Sequence, residues 1–267
     1  MAGAAFMLIP IALGAALTFP VAAQTVRALP NSRESALEDA RARLMRDPAD
    51  IGALRDAAQA AMRLGNVDMA AAYAARAEQL APGDPVITAA RGAVEIHRGR
   101  PREGLLLFGQ ADLAGAPQDA FVADRALGYD LIGDQPSAQY YYSIATRVTH
   151  DDEVLRRYAL SLAIIGDFAT GEAMLRPLLD LQDRAAWRIY AFMLAIDGRP
   201  DEAQAVLERI LPADMAAELA PYMAEMPVLT RGQQAAAANL GLFPALPQGG
   251  TAPNARPGTP GNDTGGR

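Results

Sequence analysis

The sequence predicts an all-α solenoid of helical hairpins, about five repeats long and closed by capping helices. Three observations carry this. Glycines recur at Gly65, Gly99, Gly133, Gly166 and Gly198, spaced by 34, 34, 33 and 32 residues. Each closes one apolar helical pattern and opens another, as expected where glycine takes the left-handed conformation that lets the chain reverse into an antiparallel helix. On the same register, small residues stand five positions after the glycines (Ala70, Gly104, Ala138, Gly171, Ala203). Apolar residues stand nine after (Ala74, Phe108, Tyr142, Leu175, Leu207) and twelve after (Ala77, Ala111, Ala145, Leu178, Ile210). The composition agrees. Apolar residues make up 51% of the chain and aromatics only 6%, the difference being largely alanine, the best helix former and one that lets helices approach closely.

Along the chain, residues 1–23 read as an export signal. A mostly apolar run from Ala4 to Phe19 precedes Pro20 and the small residues Val21 and Ala23, where a cut would leave Gln24 as the new N-terminus. An uncleaved membrane anchor is the alternative, because about 20 apolar residues span a bilayer. Ser32 to Arg46 is expected to form a helix that Pro48 closes. The solenoid then spans 32–212, with units at about 51–84, 85–118, 119–151, 152–183 and 184–212. Proline falls early in several second helices (Pro101, Pro136, Pro200), where its missing N–H costs nothing.

Residues 213–243 are expected to hold two capping helices, at about 213–224 and 231–240, that shield the open end of the solenoid. Thr230 with Gln233 forms a capping box for the last, and Gly241 ends it. From 244 to 267 the chain is rich in proline and glycine and is expected to be disordered, because it cannot bury enough apolar area to offset the entropy of ordering.

A 34-residue helical-hairpin period with small, aromatic and proline positions at fixed offsets is the tetratricopeptide signature, and the chain resembles that family. Four segments narrow the resemblance: AAQTVRALP after the signal, VADRALGYDLIGDQPSAQYYY (122–142), EVLRRYALSLAIIGD (153–167) and MPVLTRGQQAAAANLGLFP (226–244). They are similar to exported alphaproteobacterial tetratricopeptide proteins that often carry a C-terminal SPOR domain. No SPOR-like βαβ pattern stands in this sequence, so peptidoglycan binding is not carried over. The resemblance implies a right-handed superhelix, an envelope location and a scaffold role.

It also implies a concave groove lined by the first helix of each unit. The matching positions are Arg55, Gln59, Met62 and Arg63, then Ala89, Ala93, Ile96 and His97, then Ala123, Leu127, Asp130 and Leu131. They continue with Glu153, Arg156, Leu160 and Ile164, and end with Arg188, Phe192 and Ile196. The Lys and Asn clamp by which some relatives hold a peptide carboxylate is missing. The groove is therefore expected to take an amphipathic helix or apolar peptide, with its arginines pairing to acidic residues of the partner.

The residue inventory bounds the chemistry. Net charge is −7 and the isoelectric point near 4.9, with no basic stripe of the kind that nucleic acid requires. All 24 basic residues are arginine, a pattern that fits a GC-rich genome. No cysteine is present, which removes disulfides, thiolate metal sites, cysteine nucleophiles and N-terminal lipidation.

Of the two histidines, His150 precedes Asp151, Asp152 and Glu153. Those acids read as complements to a helix N-terminus rather than as a metal cluster. No hydrolase, metalloprotease or phosphate-loop motif occurs. No cofactor or metal is expected, and no catalytic residue is assigned. The partner is expected to be an envelope protein, with membrane contact only through a retained N-terminal segment. Two functions follow: a periplasmic adaptor, or a membrane-anchored assembly factor of a secretion, pilus or polysaccharide-export machine.

Overall fold

The structure is a computed structural model, which describes residues 32–245. The signal or anchor expectation at 1–23, and all but the first two residues of the 244–267 tail, lie outside the described residues. Within them the chain forms thirteen α-helices. These are α1 (Ser32–Arg46), α2 (Ile51–Arg63), α3 (Val67–Leu80), α4 (Pro85–His97), α5 (Pro101–Leu113), α6 (Val122–Ile132) and α7 (Gln135–Val148). There follow α8 (Asp152–Ile164), α9 (Phe168–Asp180), α10 (Arg184–Ile196), α11 (Pro200–Ile210), α12 (Ala213–Glu225) and α13 (Arg231–Leu240), with a 3-10 turn at Met226–Val228 before the last. No strand occurs among the described residues.

Consecutive helices pack as antiparallel pairs: α2 on α3, α4 on α5, α6 on α7, α8 on α9 and α10 on α11. The first helices also touch in succession, α2 to α4 to α6 to α8 to α10, and so form one continuous inner layer. The molecule is a helical-hairpin solenoid, with α1 covering the first pair.

Local chemistry explains the helix ends. The ladder glycines Gly65, Gly99, Gly133, Gly166 and Gly198 all have positive φ, between 71° and 94°, where a Cβ would be strained. Asp50, Asn66, Asp84, Asp134, Asp151, Asp167 and Asp183 each accept a backbone N–H at a helix start. Each such cap stabilises by about 1 kcal/mol. Asp151 thereby takes the role expected of the acids after His150. Thr230 and Gln233 form the capping box of α13, and Gly241 closes that helix at φ 68°.

The repeat register is the packing register. The five small positions are all buried, as are Phe108, Tyr142, Leu175 and Leu207. The small positions set how close the paired helices come. A Cβ on Gly104 would lie 2.6 Å from the Gly92 carbonyl oxygen and 2.5 Å from Ile96 Cγ1. Gly104→Val is therefore expected to lose about 2 kcal/mol, because overpacking forces α4 and α5 apart. Urea unfolding checks this, and an unchanged midpoint would show that the pair can widen without cost.

One expectation about the terminal helices changes. α12 does cover the end of the solenoid, packing on α11 and α10 and continuing through Pro221. α13 is not an end cap. It turns back into the concave side and packs against α6, α8 and α10. Its small residues permit this: at Gly232 a Cβ would come within 2.5 Å of the Leu131 carbonyl oxygen.

Candidate functional site

The inner layer brings most of the expected groove residues to one face, and α13 divides that face in two. In the half covered by α13, Leu127 and Leu160 are fully buried and Phe192 nearly so. Phe192 stacks on Phe243 at 6.2 Å between ring centroids, and Phe243 in turn meets Tyr222 at 4.6 Å. These three expected contact residues offer no surface in this conformation: Leu160 and Phe192 share a core with alanines of α13, and Leu127 lies in a second core against which Leu240 of α13 packs.

Asp130 is a further departure from the groove expectation. It is fully buried, and Ser161 Oγ on α8 donates to its Oδ1 at 2.7 Å. Gln135 reaches its backbone carbonyl at 3.4 Å. Its Oδ2 and the neighbouring Tyr142 hydroxyl are buried with no hydrogen bond of normal geometry. Burial raises the Asp130 carboxyl to about 7, against the opposing pull of Ser161, Tyr142, Gln135 and the charge of Arg157. Burial thus favours the protonated form of this carboxyl between α6, α7 and α8, a form that carries an O–H donor the carboxylate lacks.

The arginines were expected to face a partner's acids, but the fold already pairs most of them. Arg55 on α2 pairs with Asp84, the cap of α4. Arg156 on α8 pairs with Asp183, the cap of α10, at 2.5 Å and with Glu153 at 3.0 Å. His97 on α4 meets Asp124 on α6 at 2.8 Å, and Arg157 on α8 lies 3.6 Å from Asp124 and 3.0 Å from Glu153.

A ladder of charges thus crosses the concave floor from α4 to α10: His97–Asp124, Arg157–Asp124 and Arg156–Asp183 join neighbouring repeats, and Glu153 ties the two arginines together within α8. Burial works to raise both carboxyls, but their partners outweigh it. His97 and then Arg157 hold Asp124 below the usual carboxylate range, and Arg157 and Arg156 do the same for Glu153. Arg188 on α10 is different: its guanidinium donates to the Ala238 carbonyl of α13 at 2.8 Å, and it forms no ion pair among the described residues.

Beyond α13 part of the N-terminal half of the face stays open, although its expected α4 positions Ala89, Ala93 and Ile96 are buried. Gln59, Met62, Arg63, Ala123 and Glu153 come together around a cleft of about 440 Å³ between α2, α6 and α8. Met62, Phe121, Val122 and Val154 are buried beneath it, and Gln59, Arg63, Asp119 and Asp151 stand at its rim. Phe121 has φ 53°. A bulky residue in the left-handed region is strained, and here its ring is held in the core just before α6 begins.

Sequence reasoning missed Asp124, Arg157 and Phe121. The Glu153–Arg157 spacing of four is a helix-pair signal that could have flagged Arg157. The His97–Asp124 contact has no such local mark. Among the described residues no three His, Asp or Glu side chains converge to hold a metal, and no helix is long and apolar enough to cross a membrane. No protein-family model matches this chain, and no curated protein matches its sequence.

Proposed function

We propose that this protein is a tetratricopeptide-type scaffold of the cell envelope, without catalytic chemistry of its own, that holds a segment of a partner protein on its concave face. The observation that carries the reading is the open cleft between α2, α6 and α8. It combines an apolar floor with a polar rim at the positions by which such repeats bind peptides, which is the usual composition of a recognition groove. Its charges are mostly tied to one another, so the floor supplies a pre-organised surface rather than free ions.

The envelope location rests on the apolar run Ala4 to Phe19 and the small residues at Val21 and Ala23. That same run favours a second reading, in which a retained N-terminus anchors the protein as an assembly factor. N-terminal sequencing of the mature protein separates the two, since a start at Gln24 removes the anchor.

The site is tested with a photo-crosslinking residue at Arg63 in the cleft, and at the exposed Arg102 on α5 as the outer control. Partner adducts are expected at Arg63 and not at Arg102. Filling the cleft with Gln59→Trp is expected to weaken the purified partner at least tenfold, a loss of about 1.4 kcal/mol. Adducts confined to Arg102, or full affinity in the filled variant, would reject the cleft as the binding site.

A further inference from the structure

A short helix already lies in the other half of the concave face, and its contacts have the form of a bound ligand. α13 carries its own start and stop signals, the Thr230–Gln233 capping box and Gly241, so its ends are set locally. The link before it is extended at Leu229 and Thr230. Its buried face is Gln234, Ala235, Ala237 and Ala238. Alanine buries little apolar area, so each of these contacts is a small hold. A ten-residue helix of this kind is marginal without a surface to lie on.

Three features of the receiving surface read the helix specifically. Gly232 sits against the Leu131 carbonyl, where only a residue lacking Cβ fits. The apolar end inserts at Phe243, between Phe192 and Tyr222, while the half-exposed Leu242 lies against Gly99. Arg188 donates to Ala238, one of the last carbonyls of α13, where a cation complements the negative end of a helix. Arg188 is partly buried and has no carboxylate partner among the described residues. Its guanidinium also lies over the Phe192 ring, 5.9 Å from the centroid, and feels the charge of Glu153.

We propose that α13 is a tethered occupant of a helix-binding site on α6, α8 and α10, and that a partner helix of the same chemistry exchanges with it. That helix has a glycine and alanine face and an apolar C-terminal end, and its negative C-terminal pole docks on Arg188. The inference rests on the scaffold reading but uses a different half of the face. Tethering lowers the apparent affinity for a free helix by the fraction of time the site is empty. An acidic residue or chain-terminal carboxylate at the partner's end would favour exchange, because a charge-assisted bond to arginine is stronger than one to a neutral carbonyl.

The test uses the full chain and, as probe, a fluorescent peptide of residues 229–245. Gly232→Val in the protein should push α13 off through the backbone clash at Leu131 while leaving the receiving surface intact. The folded variant is expected to bind the peptide at least tenfold more tightly than the wild-type chain. Adding Arg188→Gln should cancel most of that gain, and a peptide carrying Gly232→Val should not bind. A folded Gly232→Val chain with no gain overturns the proposal.

Should that variant lose its cooperative unfolding transition, amide hydrogen exchange on the wild-type chain decides. Exchange in α13 at least a hundredfold faster than in α8 and α10 supports a detachable helix, and equal protection overturns it. Crosslinking at Arg63 is unaffected by either result, so failure here is distinct from failure of the cleft.

Discussion

Arg157→Met is expected to destabilise the protein by about 3 kcal/mol at pH 7, with the urea midpoint as the readout. The side chain is largely buried and serves two carboxylates, Glu153 and Asp124. Removing one partner of a buried ion pair leaves uncompensated charge, which typically costs about 3–5 kcal/mol. The lower end is expected because His97 still holds Asp124 and Arg156 still holds Glu153.

The sign with pH is fixed by the two carboxyls, both held below their ordinary values of 3.8 and 4.5. Groups of that kind contribute stability that is present above the unfolded values and lost as pH falls through the folded ones. The deficit of the variant should therefore shrink as pH is lowered through about 4, where the freed carboxyls take up protons. A deficit that is the same at pH 7 and pH 4 would mean that Arg157 acts through packing alone.

Asp130→Asn is expected to do the opposite: raise stability at alkaline pH and flatten its dependence on pH. Between 3.8 and about 7 the folded carboxyl keeps a proton that the unfolded chain has released. Stability in the wild-type protein therefore falls as pH rises through that window, and is constant above it. The asparagine carries no such proton, can still accept from Ser161, and supplies N–H donors toward the side of Tyr142.

The advantage of the variant should be near zero at pH 4, grow to pH 7, and then level off. A shift of this size corresponds to at most about 4 kcal/mol. Thermal unfolding of both proteins from pH 4 to 9 is the measurement. Parallel curves would show that Asp130 titrates alike in the folded and unfolded chains. The two substitutions thus bracket one buried network, in which Arg157 favours the charged form of its neighbours and burial favours the neutral form of Asp130.

Much of the architecture was legible before any coordinates, for local reasons. A glycine that must take positive φ, an Asp or Thr that caps the next helix, and a small residue five positions on all act within a few residues of themselves. That is why the ends of α1, α2 and α13 fall where the sequence places them. The same holds for burial at Ala138, Tyr142 and Leu175. Helical repeats make this easier still, because each unit contacts mainly its neighbours and the period of the sequence becomes the period of the packing.

The groove was legible as a set of positions but not as a surface. Arg55 and Arg156 stand where a partner's acids would be met, yet each finds an acid about one repeat away, the N-cap of the following first helix. Asp130 is polar and stands on the expected face. The packing of α6, α7 and α8 nevertheless buries it against Ser161, 31 residues away.

By itself the sequence determined the helices, their pairing and the residues that hold the pairs together, since those follow from backbone conformation and near-neighbour packing. Only the tertiary structure decided which half of the concave face stays open. That depends on where a ten-residue alanine-rich helix docks, and the bond that fixes it joins Arg188 to Ala238 across 50 residues. No periodicity encodes such a contact, because it arises from the shape of the assembled surface and not from the register of the chain.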